Sequence, residues 1–524
     1  MRRILFSCLL ALPLSAAEWQ FAVETGVRNG HAFLWIPPAC QHVRGVILGQ
    51  QVILEKTVFE DTAIRHAATE ECLAEVIVYP GFDTVFHYGP NSGAPPVEGV
   101  LQSTLDRLAE ISGYTELASA PWLPIGHSGS GIFAWNLAYW KPRRTIALIG
   151  LHSAAIHPPA WDPKATVDGV PVLGISGQYE SWGNPNQSLE MHWRWLRGTL
   201  LEMRAMWERP LMSILVDPGG GHFSFNPPLA QATALFIRKA AHYRIPAEGP
   251  SLPLREIPSN TGWLSDSHSC APFKDYRGDR SLAFWHLDEE LARSALHFAP
   301  GAPGKRDQRV TFVQNGQPIP AAWLEDIPFQ PMEEGLSVRV SAAFLSETPK
   351  GVADSGKPLG HASGAIQFRL IGGWAGGGEQ TGPETFRIRP SHFGATDNLM
   401  VLAYHPGDRS FAWTEQAGQI KYPKRNNAGR PQTITFPAIP DQASGTATVA
   451  LHAQSDSGLP VEYYVAAGPA EMEGHTLRFT AIPPRSRFPV KVTVVAYQWG
   501  RSIAPLVQSA AEVAQSFLVL PNAR

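Results

Sequence analysis

Ser128 stands where a serine can act as a nucleophile. It lies in Gly126-His127-Ser128-Gly129-Ser130-Gly131, between a short apolar run (Trp122, Leu123, Ile125) and a helical pattern over residues 132–140 that stops before Pro142. The spacing predicts strand, sharp turn and helix, with Ser128 at the apex. Held there, the hydroxyl projects above a sheet, and the helix N-terminus behind it favours developing negative charge. A serine hydroxyl attacks a carbonyl only when a base takes its proton and an acid orients that base. The partners such a serine calls for are a histidine and a carboxylate.

The turn resembles the nucleophile elbow of the α/β-hydrolases in its G-H-S form. Two departures accompany the match. Ser130 replaces the glycine at the fifth position of G-x-S-x-G, with Gly131 one place later, and Pro124 sits in the elbow strand, where it cannot donate to the ladder. The resemblance implies the chain order serine, acid, histidine. Glu180, in Gly177-Gln178-Tyr179-Glu180 after the strand at 170–176, fits the acid, and His222, in Asp217-Pro218-Gly219-Gly220-Gly221-His222-Phe223, fits the base. Asp217 is the rival acid, but it shares a loop with His222 and is expected to point away. The resemblance also implies an oxyanion hole from the backbone N–H of Gly129 and of Gln50, with Gln51 as alternate; their side chains could instead bond the substrate. His87, His152, His157 and His192 read as satisfied loop or surface residues, His87 or His152 being the alternatives for lining the site. No H-E-x-x-H or clustered ligand spacing occurs, so neither a metal nor a cofactor is expected.

The elements that must position these groups alternate. A hairpin about Asn29-Gly30 (residues 19–36) is followed by buried strands at 43–48, 75–79, 145–151, 170–176 and 211–216, with helices at 57–73, 97–111, 132–140, 189–207 and 229–243. Such alternation predicts an α/β fold with a mostly parallel sheet, helices on both faces and catalytic groups at the carboxyl ends of the strands. Residues 80–96 and 152–169 read as long loops. Four prolines between 245 and 260 mark a linker, and 261–304 has a helix near 288–296 among several aromatics. Beyond 310 the pattern turns to short alternating strands with Gly/Pro turns, an all-β region whose segment 446–520 reads as an immunoglobulin-like sandwich. The glycine-rich run at 372–378 lacks the Lys-Ser/Thr of a phosphate loop and reads as a flexible loop.

At 524 residues the chain has room for two or three domains. Met1-Arg2-Arg3, the apolar residues 4–14 and Ser15-Ala16-Ala17 have the marks of a secretory signal peptide, giving a mature start at Glu18 and a secreted or periplasmic protein. No later run has the length and apolarity of a membrane span. A net charge of −3 without a long basic run argues against nucleic acid as a partner. Cys40 and Cys72 can pair in an oxidising compartment, leaving Cys270 odd. The division expected is signal peptide 1–17, catalytic domain 18–246, connecting segment 247–308, β-rich domain 309–440 and β-sandwich 441–524.

Residues 18–246, less than half the chain, are similar to bacterial secreted esterases of the dienelactone-hydrolase, cutinase and polyester-depolymerase type. That likeness implies a serine esterase working through Ser128, Glu180 and His222. Export and appended β modules point to a large ester substrate, an esterified polysaccharide or a polyester. The β region shows no candidate catalytic residue, so it is expected to bind a polymer or a surface and to be dispensable for small esters in a chain ending near Arg309; the other reading is that it covers an apolar face, with 261–304 as the adhesive. Two other readings stand beside this one. A prolyl-oligopeptidase-like serine peptidase shares the triad but carries its β domain first, and a cell-surface binding protein could keep the fold with a dead site. Sequence leaves the oligomeric state open.

Overall fold

The computed structural model describes residues 19–82, 97–159, 162–184, 188, 190–247, 253–300, 304–350, 355–372, 377–394 and 396–522. The signal-peptide segment, His87 with its aromatic neighbours, and the centre of the glycine run at 372–378 lie outside the described residues.

Eight strands form one sheet: β1 (Phe21–Glu24), β2 (His31–Trp35), β3 (Gly45–Gln50), β4 (Leu73–Tyr79), β5 (Trp122–His127), β6 (Leu148–Leu151), β7 (Val172–Gly177) and β8 (Met212–Asp217). Their order is β1-β2-β4-β3-β5-β6-β7-β8. β2 runs antiparallel to both neighbours, and every other pair is parallel. The hairpin forms, but its turn is centred one residue earlier than Asn29-Gly30. Arg28 and Asn29 both take positive φ, 54° and 52°, and Gly30 N–H closes the turn on Val27 O, the primed geometry that matches strand twist.

Among the described residues, six helices cover the sheet: α1 (Glu55–Phe59), α2 (Thr62–Glu70), α3 (Val97–Ser112), α4 (Gly131–Trp140), α5 (Met191–Met206) and α6 (Pro227–Arg244). Sequence spacing made one helix of 57–73. The structure breaks it, because the Asp61 carboxylate caps a new helix by accepting Ala63 N–H at 2.8 Å. One sheet face, through Ile47, Leu123, Ile149 and Ile175, packs on α1, α2 and α6; the other, through Val46, Leu48 and Val76, packs on α3 and α4.

Pro124 is accommodated by a slip in register. On the β3 side the ladder is regular through Leu48↔Pro124. On the β6 side, Trp122 bridges Thr145 and Ile125 pairs with Ile149, so the neighbouring strand advances one residue more than β5 across the proline. The extra residue falls where Pro124 has no N–H to offer.

The later segments do not stand apart. Residues of the connecting segment (Leu254, Ile257, Leu264, Trp285, Phe298) and four β-region residues (Ile371, Met400, Leu402, Ala417) belong to the same buried cluster as Phe33, Ile47 and Leu123. Strands Gln442–Ala443, Val513–Leu520, Val490–Tyr497 and Glu462–Ala467 form one sheet, and Thr448–Ala450, Thr476–Phe479 and Ala470–Glu473 another. Their inner residues Tyr463, Val492 and Phe517 continue the core of Leu48, Leu105 and Phe133. Cys40 and Cys72 form a disulfide, 2.10 Å between sulfurs, and Cys270 is free. Among the described residues, no helix is long and apolar enough to cross a membrane.

Candidate active site

This sheet, with its second strand reversed and a serine turn after β5, is the α/β-hydrolase fold, and the carboxyl ends of β5 to β8 supply the site. Ser128 follows β5 directly, in the left-handed region at φ 52°. A serine held there costs roughly 1–2 kcal/mol of backbone strain, which the surrounding packing must impose. Two glycines permit it. A Cβ at Gly126 would lie 2.1 Å from Ser130 O, and one at Gly131 would lie 2.4 Å from the Ser153 side chain. Gly129 faces open space. The close approach therefore falls to the glycine after Ser130, which explains the shifted pattern.

Ser130 has its own task. It is fully buried, and its hydroxyl bonds the carboxyl of Glu55 and lies 3.0 Å from His127 O. Glu55, also fully buried, accepts His127 N–H at 2.9 Å, Val52 N–H at 2.8 Å and Ile53 N–H at 3.1 Å. One carboxyl thus ties the loop after β3 to the elbow. Burial raises its pKa, against the lowering effect of the Ser130 hydroxyl and these N–H groups. Sequence reading missed Glu55, whose only signal was a charged residue directly after the apolar run Val52-Ile53-Leu54.

The expected trio converges. His222 Nε2 lies 2.9 Å from Ser128 Oγ, and its Nδ1 lies 3.1 Å from Glu180 Oε2. Glu180 Oε1 accepts from Gly177 N–H at 2.6 Å and from Ser176 Oγ at 2.7 Å, and faces His152 Nδ1 at 2.8 Å. Burial alone would raise the Glu180 pKa; the adjacent His152, with hydrogen bonds from His192 and His222, outweighs it and holds the carboxyl well below its ordinary range. His127 Nε2 donates to His222 O at 3.0 Å, which sets its tautomer, and burial with the nearby His222 and His152 rings pushes its pKa far down. His152, read from sequence as a loop residue or a lining alternative, is buried behind the acid. His192 reaches within 3.5 Å of Glu180 Oε2, while His157 pairs on the surface with Glu202.

Asp217 turns away from His222, as its place in the loop suggested. Its Oδ2 accepts from Ser224 Oγ and, at 2.8 Å, from Asn226 Nδ2. Burial, then the charge of Glu415, pushes its pKa up to about 6 from 3.8. A raised carboxyl pKa lowers stability as pH climbs from about 4 to 6, because the unfolded chain releases the proton first. Asp217→Asn is therefore expected to be roughly 2–3 kcal/mol more stable than wild type at pH 8 and no more stable at pH 4, in denaturant titrations at both pH values. A variant weakened at pH 8 would show that the ionised carboxylate is needed.

Gln51 is corrected as an alternate oxyanion donor, because its N–H is committed to Val78 O at 2.8 Å. The Gln51 side chain is engaged at both ends, Oε1 accepting Lys56 N–H at 2.7 Å and Nε2 donating to Ile53 O at 2.9 Å, while Gln50 Oε1 accepts Phe82 N–H at 3.2 Å.

The β region reaches the site, contrary to the sequence expectation. Trp323, 49% exposed, stacks on Phe223 with centroids 5.2 Å apart and meets the His222 ring edge-on at 5.3 Å. Glu415 accepts Gly221 N–H at 3.0 Å, and Arg369 donates to Phe225 O at 2.8 Å. A narrow cleft of about 20 Å³ lies among Tyr179, Trp182, His222, Phe223, Arg309 and Trp323. Alternation in the β sequence shows which residues face inward but not what they face, so these contacts had no signal. Among the described residues, no cluster of three or more His, Cys, Asp or Glu side chains is arranged to hold a metal ion.

The sequence matches no protein-family model and no curated protein. Among solved structures it is similar to a poly(3-hydroxybutyrate) depolymerase from Bordetella parapertussis, at 17% identity over 42% of this chain and 88% of that one, TM-score 0.29. It is also similar to a dienelactone hydrolase from Anabaena variabilis, at 14% identity over 44% and 100%, TM-score 0.32. A carboxylesterase from Bacillus cereus matches at 13% identity over 40% and 93%, TM-score 0.27.

Proposed function

We propose that this chain is an exported serine hydrolase that cleaves carboxylic esters through an acyl-enzyme. The observation that carries the reading is the continuous hydrogen-bonded line from Ser128 Oγ through His222 to Glu180, at 2.9 and 3.1 Å, past the carboxyl ends of β5, β8 and β7. In this reading His222 Nε2 takes the Ser128 proton as Oγ attacks the ester carbonyl. Glu180 holds Nδ1–H and steadies the imidazolium. The N–H groups of Gly129 and Gln50 receive the oxyanion, His222 protonates the leaving alcohol, and water then releases the acid by the same route in reverse. The half-exposed Trp323 against His222 and Phe223 supports an ester with a flat or apolar group next to the reacting bond, and a β region built against the site suits a polymeric ester. The Cys40–Cys72 disulfide supports export, since such bonds persist in oxidising compartments.

A fluorophosphonate probe tests the proposal. One label per chain, at Ser128, is expected, absent from Ser128→Ala and from His222→Ala. Labelling that persists in Ser128→Ala, or sits on Ser130, refutes it. Turnover of p-nitrophenyl esters beside aminoacyl-amides separates an esterase from a peptidase.

A further inference from the structure

The acid of the triad has a second histidine, and its surroundings leave that histidine no neutral state that satisfies them. His152 follows β6, fully buried, at φ 47°, a left-handed conformation that a residue with a Cβ adopts only under constraint. Its Nε2 lies 2.7 Å from Ser224 O, and its Nδ1 lies 2.8 Å from Glu180 Oε1. A carbonyl oxygen only accepts, so Nε2 carries a proton. Glu180 Oε1 already accepts from Gly177 N–H and Ser176 Oγ, so it is a carboxylate oxygen, and Nδ1 must carry a proton as well. Gly177 N–H also lies 3.1 Å from Nδ1, but its contact with the carboxylate is shorter at 2.6 Å and takes the proton.

We infer that His152 is a buried imidazolium that serves as a positioning residue: it fixes one oxygen of Glu180 and offsets part of its charge, leaving the other oxygen for His222. The inference rests on the Ser128–His222–Glu180 reading above and extends it. Burial would drive the His152 pKa down; the Glu180 charge and hydrogen bond, with Ser224 O and Asp217, more than offset it and raise it. The consequence lies at the base. Glu180 attracts the imidazolium that His222 becomes as it takes the Ser128 proton, and the cation 6.1 Å away, centroid to centroid, offsets part of that attraction. The other groups facing this pair are the neutral His127 at 5.0 Å from the His222 ring, His192 on Glu180 Oε2, Glu415 on Gly221 N–H, Asp217 beyond Ser224, and Arg309 across Tyr179.

The experiment has two arms on the full chain. In the first, long-range proton–nitrogen NMR of histidine-labelled protein is followed to pH 9, where ordinary histidines among the eighteen are neutral. One imidazolium with both nitrogens protonated should survive at pH 9, and it should vanish in His152→Asn. Its absence from wild type, or its survival in the variant, overturns the inference. In the second arm, the rate of fluorophosphonate labelling at Ser128 is followed against pH. His152→Asn keeps a donor to Glu180 and removes the charge, so the acid limb should move up by about one to two pH units. An unmoved limb overturns the inference. If wild type takes no label at all, the triad reading fails while the NMR arm still decides the state of His152. If His152→Asn does not fold, His152→Gln and the wild-type spectrum at pH 9 carry the test.

Discussion

A chain ending at residue 308 is expected to yield no folded enzyme. Removing the β region uncovers two apolar faces at once. Ile371, Met400, Leu402 and Ala417 leave the cluster that holds Ile47 and Leu123, and Tyr463, Val492 and Phe517 leave the one that holds Leu48 and Phe133. Each large buried side chain exchanged for water costs about 1.5–3 kcal/mol, and a handful of them equals the roughly 5–15 kcal/mol by which a domain is stable. The loss also reaches the chemistry. Glu415 and Arg369 hold the loop of His222 at Gly221 and Phe225, and Trp323 packs on its ring. The shortened chain should be aggregated or protease-sensitive, without near-UV circular dichroism, and should take no fluorophosphonate label. A soluble product labelled at the wild-type rate would show that the hydrolase part is autonomous, as the sequence had led one to expect.

The reason for that difference is physical. The elbow and its partners were legible because each is a local device: a turn of small residues, or a short loop leaving a strand that has no other role. Alternation in the β segments was equally local and equally legible. What the sequence lacks is any record of the far side of a contact. Ser130 looked like a defect in the elbow pattern until Glu55 was seen to bond it from 75 residues away, and His152 looked like a loop residue until Glu180 was found against it. The break between α1 and α2 is of another kind, for Asp61 is a good N-cap and was there to be read; a continuous apolar spacing across it hid the signal. Pro124 was rightly seen as foreign to a central strand. Only the structure could show that β6 absorbs it by one step of register.

Glu180→Gln is expected to lower kcat on small esters about 10³- to 10⁴-fold with Ser128 and His222 in place, the scale set by loss of an orienting carboxylate. Two effects combine. An amide offers His222 Nδ1 either a nitrogen or an oxygen, and with the nitrogen facing it His222 holds its proton on Nε2, where it must accept one from Ser128. An amide also leaves no negative charge for the imidazolium that forms during acylation. The same change strips His152 of its counter-charge, so its ring should lose a proton, and Gly177 N–H and Ser176 Oγ should keep only a neutral acceptor. Stopped-flow acylation separates chemistry from deacylation, and thermal unfolding at pH 8 checks that the fold survives. Because the buried cation can shed its proton once Glu180 is neutral, the variant should remain folded while its acylation rate collapses. A variant that acylates within tenfold of wild type would remove Glu180 from the triad and, with Asp217 turned toward Ser224 and Asn226, would leave His222 without an orienting acid.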